Sequence, residues 1–332
     1  MILRPLVALI FLVILRQFAA AAPPETPFSG RIVFFGSEQG DSSLIQTMSP
    51  DGADLQTVLK LDGGVTSGRV APGGQRLAFG FQPKGANAPQ VWVLGENGLR
   101  NKVADRGFVT AWSPDAKKVT YHWRRQQGDW ESFSVEVATG EMQRLPVPKG
   151  DIVQDWSPDG RQLAVIAGNP TRTFQHDTKG VYPLRQIYLV DLDGTRRRLL
   201  TPDSMQDAIW PRFSPDAMRI AHYQRKYPGR SQSPIESLVV QKPDGNDLKI
   251  LLTFAKLSDE QISVRPLGFP AWSPDGRSLV WLADRRRRDR RDLAPGHRIE
   301  FELVFVRVDN GEVREHPFKQ TGIKRWGEID WR

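Results

Sequence analysis

Four copies of one short phrase decide the fold: Ala111-Trp112-Ser113-Pro114-Asp115-Ala116, Asp155-Trp156-Ser157-Pro158-Asp159-Gly160, Arg212-Phe213-Ser214-Pro215-Asp216-Ala217 and Ala271-Trp272-Ser273-Pro274-Asp275-Gly276. A worn fifth copy stands at Val70-Ala71-Pro72-Gly73-Gly74. From Ala71 through Ser113, Ser157 and Ser214 to Ser273 the steps are 42, 44, 57 and 59 residues. Self-similarity at about 40–60 residues marks an array of like units that bury their apolar faces against one another. The array, rather than chain length, therefore sets the domain count.

The phrase has a local cause. In a type I turn Pro pre-sets φ at the second position, Asp suits the third and Gly the fourth, while the Ser hydroxyl caps backbone N–H groups. Ala116 and Ala217 replace that Gly in two copies. A type I turn whose last residue need not be left-handed accommodates them; a left-handed Ala would cost roughly 1–2 kcal/mol. Each unit reads as a strand a ending in an aromatic residue, this turn, a strand b such as 161–167, a variable connection, a strand c such as 187–191, and a strand d such as 196–200.

A second turn recurs between c and d. Asp51-Gly52, Asn97-Gly98, Thr139-Gly140, Asp193-Gly194, Asp244-Gly245 and Asn310-Gly311 each separate two short β-rich runs. Such dipeptides are strong hairpin signals because the turn needs positive φ. Six c–d hairpins stand against five internal a strands. The first unit starts directly with b at 32–35, and 326–331 resembles an a strand without its turn. The expected fold is all-β: a six-bladed β-propeller of four-stranded antiparallel blades, closed by the C-terminal strand, which removes exposed sheet edges. The aromatics Trp112, Trp156, Phe213, Trp272 and Trp331 share one register and are expected to pack between blades.

The 332 residues contain no cysteine, which excludes a disulfide framework, a thiolate metal site and a thiol nucleophile. Net charge is +8, which bears on partners and solubility and not on fold. Residues 1–21 read as a signal peptide, with Arg4 before an apolar run at 6–15 and Ala19-Ala20-Ala21 as the cleavage site. The run is short for a span of about 20 apolar residues. Retained, the segment is an uncleaved anchor and the only membrane contact; in either case the body is exported, to a periplasm or beyond. Residues 22–30 form a linker and 31–332 the propeller.

The Trp-Ser-Pro-Asp-Gly-Arg-x-Leu-Ala pattern resembles the WD40-like repeat of TolB-type propellers, across nearly all of 30–332. The resemblance implies a six-bladed propeller. TolB itself is a periplasmic protein whose small α/β domain precedes its propeller and which works in the Tol–Pal assembly; here strands begin at Ile32, which leaves no room for that domain. Similar propellers precede the hydrolase domain of prolyl-oligopeptidase-like enzymes, but no Gly-x-Ser-x-Gly elbow occurs here. Oligogalacturonate lyases are related propellers with a histidine-held metal; the five histidines here do not make a metal-binding spacing. No metal or other cofactor is expected.

Two sets of residues can carry function. All b–c connections of a propeller emerge on one face, and here they are 82–89, 124–129, 168–184, 224–234 and 283–298. They hold 15 Lys and Arg against five acids. Arg124, Arg125, Arg172, Arg225, Lys226, Arg230, Arg285, Arg286, Arg287 and Arg288 are the candidate basic face. Such a face focuses anions, and Arg suits bidentate capture of carboxylate or phosphate. A solvated charge run is the plain alternative for 285–291. The second set precedes the repeated aromatics: Asp330, Arg69, Ala111, Asp155, Arg212 and Ala271. Equal register on the innermost strand puts Arg69, Asp155, Arg212 and Asp330 in the channel, as ligand contacts or as ion pairs tying blades together. Asp155 and Asp330 lie three blades apart, and a glycosidase carboxylate pair is one reading of them. His176-Asp177 has no paired nucleophile, and His122 and His222 fall on b strands as packing residues.

The sequence thus points to an exported, non-catalytic scaffold whose basic face binds an acidic envelope protein or an anionic glycan, and not nucleic acid. The alternative is an enzyme acting on an anionic saccharide or peptide at the channel mouth.

Overall fold

The protein was analysed as a computed structural model, which describes residues 30–38, 42–124, 128–176, 180–201, 206–227, 235–254, 262–266, 268–287, 300–318 and 323–332. The signal and linker reading of 1–29 lies outside them. The described chain is all-β and propeller-like, built of antiparallel sheets whose strands follow one another in sequence.

The first sheet has seven strands in the order β24 (Ile323–Trp331), β1 (Ile32–Glu38), β2 (Ser42–Met48), β3 (Gln56–Val70), β4 (Leu77–Pro83), β5 (Gln90–Leu94) and β6 (Arg100–Ala104). The C-terminal strand therefore pairs with the first, at Ile32↔Trp331, Val33↔Asp330 and Phe34↔Ile329. β3 serves two partners. Residues 56–62 pair with β2 and residues 63–70 with β4. The change falls at Gly63, at φ 143°, where a Cβ would run into the Gln82 carbonyl oxygen; only glycine fits there.

Three four-stranded sheets follow. They are β7 (Phe108–Trp112) to β10 (Met142–Arg144) through β8 (Lys118–Arg124) and β9 (Trp130–Glu136); β11 (Ile152–Trp156), β12 (Gln162–His176), β13 (Gly180–Asp191) and β14 (Arg197–Leu199); and β15 (Gln206–Phe213), β16 (Ile220–Lys226), β17 (Ile235–Gln241) and β18 (Lys249–Thr253). In the last sheet β21 (Ser278–Arg287), β22 (Glu300–Arg307) and β23 (Val313–Phe318) run consecutively. The edge of β21 is shared by two short strands, β19 (Ile262–Pro266) and β20 (Ala271–Trp272). The proline-flanked gap between β19 and β20 splits what is one strand in the other sheets.

The Ser-Pro-Asp turns form as a hydrogen-bonded unit. Ser113 Oγ donates to Asp115 Oδ1 at 2.6 Å and accepts the Lys118 N–H at 2.8 Å, while the Ala116 N–H donates to the Ser113 carbonyl at 2.9 Å. Ser157, Ser214 and Ser273 repeat the pattern. The serine hydroxyl, foremost, holds Asp115, Asp159 and Asp275 below the usual carboxylate range. The fourth residue corrects the sequence reading. Gly160 and Gly276 have φ of 73° and 66°, and Ala116 and Ala217 follow them at 56° and 60°. The turn does demand a left-handed residue, because the chain must reverse so that the Ser113 N–H meets the Lys118 carbonyl, and two alanines are strained into it.

The repeated aromatics fill the inter-sheet layers. Trp112, Trp156, Phe213 and Trp272 are buried, each worth roughly 2–3 kcal/mol of apolar burial. Their polar edges reach the neighbouring sheet: Trp112 Nε1 donates to the Arg69 carbonyl at 2.9 Å, Trp272 Nε1 to the Arg212 carbonyl at 3.0 Å, and Trp156 Nε1 to Thr120 Oγ1 at 2.7 Å. Several expected b–c loops are strand instead. β12 and β13 pair as far as His176↔Gly180, and β21 and β22 as far as Arg285↔Glu300.

Candidate functional site

Strands β3, β7, β11, β15, β20 and β24 each place one residue ahead of the aromatic position. From the C-terminal strand onward the series is Asp330, Arg69, Ala111, Asp155, Arg212, Ala271, so the triplet acid–arginine–alanine occurs twice. The contacts repeat with it. Asp330 Oδ2 accepts the Val70 N–H and Asp155 Oδ2 the Phe213 N–H, both at 2.8 Å. Each arginine carbonyl accepts the next sheet's tryptophan N–H, as above. Phe269 stands in the gap between β19 and β20, and the guanidinium carbons of Arg69 and Arg212 both lie 4.4 Å from its ring centroid. One aromatic ring thus holds two cations by their attraction to its π face.

The two arginines differ in their remaining partners. Arg69 Nη1 donates to Glu328 Oε2 at 2.6 Å and to the Gly68 carbonyl at 2.5 Å. Arg212 Nη1 donates to the carbonyls of Gln154 at 2.7 Å and Thr110 at 3.1 Å, with Asp155 Oδ1 at 3.6 Å. Arg69 Nε and Nη2, Arg212 Nη2 and Gln154 Oε1 are buried without a hydrogen-bond partner among the described residues. A buried unsatisfied donor costs about 1–3 kcal/mol, and more when charged, so these are concentrated stress at the centre of the fold. Trp210 adds to it. The first strands β3, β7, β11 and β15 each carry a bulge that slips the register by one residue, and in β15 it lies between Ile209 and Arg212. Trp210, at φ 58°, packs there against Phe269 with ring centroids 5.5 Å apart. A bulky left-handed residue is a rare conformation that its surroundings must impose.

Burial dominates the acids. It pushes the Asp155 carboxyl up to about 7, against the Phe213 N–H and the charges of Arg332 and Arg69, and it raises Glu328 against the pull of Arg69. Glu328 was missed in the sequence, although it stands two residues before Asp330 and so shares its face of the strand. Phe269 was missed as well; its only signal is an apolar residue between Gly268 and Pro270, where a strand should run. His122 is half-buried on β8 and His222 buried on β16, and desolvation lowers both to about 4. His176 ends β12, while Asp177 lies outside the described residues. Among the described residues no group of three or more His, Asp or Glu is placed to hold a metal ion.

The basic face is described in part. Arg124 and Lys226 are exposed at the ends of β8 and β16, with Arg124 Nε donating to the Gly128 carbonyl at 2.7 Å. Arg225 is engaged: its Nε meets Glu236 Oε1 at 2.9 Å, and its Nη1 lies 3.8 Å from Asp207, which also receives Arg185 at 2.8 Å. Two strand-borne acids absent from the loop count therefore neutralise cations at this edge. Arg172 falls on β12 and Arg285, Arg286 and Arg287 on β21, while Arg125, Arg230 and Arg288 lie outside the described residues.

Three solved structures share this architecture. TolB from Acinetobacter baumannii superposes with a TM-score of 0.67 at 18% identity, over 92% of this chain and 67% of that one. The chain shares a propeller fold with TolB. An oligogalacturonate lyase from Vibrio parahaemolyticus follows at TM-score 0.53 and 11% identity, covering 87% and 75%. Hydrazine synthase of Kuenenia stuttgartiensis matches at 0.51 and 12%, covering 91% and 99%. No family model matches the chain, and no curated protein does. Fold-mates as different as these show that the scaffold alone does not name an activity.

Proposed function

We propose that the chain is an exported, non-catalytic scaffold: a closed six-bladed propeller whose b–c face docks an acidic protein or an anionic glycan. The six-blade reading divides the seven-stranded sheet at Gly63, with β24 completing the blade of β1 and β2. The function rests on one observation. The second strands of separate sheets, β8, β16 and β21, all end in Arg or Lys at the edge where their hairpins turn, and Arg124 and Lys226 there are exposed. Cations gathered from several blades on one rim raise the local concentration of a polyanion, and salt weakens the effect. The axial acids fit a structural role, since Asp155 and Asp330 each hold a neighbouring strand by its N–H.

The test is the binding of labelled poly-glutamate and polygalacturonate at low and high salt. Lys84→Glu, Arg124→Glu and Lys226→Glu together should weaken capture several-fold with the melting temperature unchanged. Equal affinity in this variant refutes the rim. A second reading, an enzyme on an anionic saccharide or peptide, draws on the Asp155 carboxyl at about 7, suited to a general acid. It requires turnover of oligogalacturonate that is lost in Asp155→Asn.

A further inference from the structure

Arg69 is 3% exposed and Arg212 7%, yet neither guanidinium is fully used. On Arg69 the partners all gather at Nη1, and the edge formed by Nε–H and Nη2–H is empty. Those two N–H bonds run parallel and match the two oxygens of a carboxylate, the fork by which arginine takes carboxylates bidentately. Arg212 leaves Nη2 empty, and its guanidinium carbon stands at the same 4.4 Å from the Phe269 ring centroid as that of Arg69. Buried arginines are rare unless paired, so two with vacant donors around one ring call for a missing partner.

The local charge agrees. Arg69, Arg212 and Arg332 face Asp155, Glu328 and Asp330 across this centre. Burial disfavours the ionised forms of Asp155 and Glu328, which tips the balance of this centre toward its cations. A monoanion matches that balance better than a phosphate dianion does. The empty donors are sealed from solvent, so the ligand needs something to give way. Phe269 is the residue able to do so: it lies outside any strand, it follows Gly268 at φ 149°, and its ring touches both cations.

The geometry points to a site on the propeller axis for one small carboxylate, held by the Arg69 fork and Arg212 Nη2, with Phe269 as the plug that the ligand displaces. It is separate from the basic rim and stands or falls without it.

The full chain is titrated calorimetrically, and its melting followed, with acetate and malonate against chloride at equal ionic strength. A saturable rise in melting temperature is expected. Arg69→Lys keeps the charge and loses the fork, and should bind about ten-fold or more weakly. Phe269→Ala removes the plug and should bind tighter; unchanged affinity there overturns the plug. If Arg69→Lys does not fold, a crystal structure of the unaltered protein grown with malonate decides, by density bridging Arg69 Nε and Nη2. A tripeptide with a free C-terminus, compared with its amide, separates the two sources of the group: binding of acetate or malonate indicates a free acid, and binding of the free tripeptide alone indicates a chain terminus. No saturable effect from any carboxylate, or binding of inorganic phosphate alone, overturns the site.

Discussion

The Asp155 carboxylate accepts the Phe213 backbone N–H at 2.8 Å and lies 3.6 Å from Arg212, so one buried acid joins two adjacent sheets through a backbone bond and a charge. Its pKa, about 7 in the fold against 3.8 ordinarily, makes the joint sensitive to pH. A raised carboxyl binds a proton more tightly in the native state. Its contribution is complete below pH 3.8 and is lost as pH rises through about 7. Glu328, also raised, acts in the same direction. His122 and His222 act oppositely. Their pKa values fall from 6.5 to about 4, so their contribution is complete above 6.5 and is lost as pH falls through 4. Between pH 4 and 6.5 the two histidines and the two acids oppose each other, and at higher pH the gain from the histidines levels off while the acids go on lowering stability. Urea unfolding across pH 4–8 should therefore contain a fall owed to Asp155, on the order of 1–3 kcal/mol between pH 5 and 8. Asp155→Asn should remove most of that fall. An unchanged alkaline limb in the variant refutes the assignment.

The turns offer a stabilising change. Ala116 and Ala217 sit at φ 56° and 60°, where the equivalent glycines are relaxed. A left-handed Ala costs roughly 1–2 kcal/mol, and the added unfolded-state freedom of Gly takes back about 0.4–1. Ala116→Gly and Ala217→Gly should each stabilise by about 0.5–1 kcal/mol and add when combined, since they lie in different sheets. Gly160→Ala and Gly276→Ala should destabilise by similar amounts in the same denaturation assay.

How much of this was legible in the residues follows from what each depends on. The Ser-Pro-Asp turns and Asp-Gly hairpins are local, and their spacing carried the all-β architecture. Burial of Trp112, Trp156, Phe213 and Trp272 followed from register alone. The φ of Ala116 was misread because Ser-Pro-Asp specifies the turn, while the conformation of its last residue is set by the hairpin it closes. The extent of β12, β13 and β21 was missed because polar, Arg-rich strand ends look like loops when apolar alternation is the guide. Register alone singled out Arg69, Asp155, Arg212 and Asp330, one from each of four first strands. Phe269 was missed, because its place depends on a break in one strand that no other unit shares. Asp207 and Glu236 escaped because a count confined to loops cannot see acids on neighbouring strands.

Indole hydrogen bonds between sheets give a third test. Trp272 Nε1 donates to the Arg212 carbonyl, whereas Trp281 is more deeply buried and its Nε1 has no partner. By burial alone, Trp281→Phe would be the costlier change. Trp272→Phe, however, also leaves a buried carbonyl unsatisfied, a penalty of about 1–3 kcal/mol that Trp281→Phe does not incur. Trp272→Phe should therefore lower stability by roughly 1 kcal/mol more than Trp281→Phe. Equal losses would show that the inter-sheet bond contributes nothing net.

Neighbouring cations on β16 separate stability from binding. Arg225 meets Glu236 at 2.9 Å and Asp207 at 3.8 Å, and its neighbour Lys226 is exposed. Reversing Arg225 sets three carboxylates against one another on a partly buried edge and leaves Asp207, whose side chain is 4% exposed, to Arg185 alone. Arg225→Glu should lower stability by about 1–2 kcal/mol, mostly through those acids. Lys226→Glu has no such partners to disturb and should leave the unfolding midpoint within about 0.5 kcal/mol of the unaltered protein. Polyanion affinity should show the opposite distinction once stability is accounted for: Lys226→Glu lowers it with a weaker salt dependence, while Arg225→Gln, which adds no negative charge, changes it little. Equal binding losses for Lys226→Glu and Arg225→Gln would mean that the engaged arginine, and not the free lysine, meets the partner.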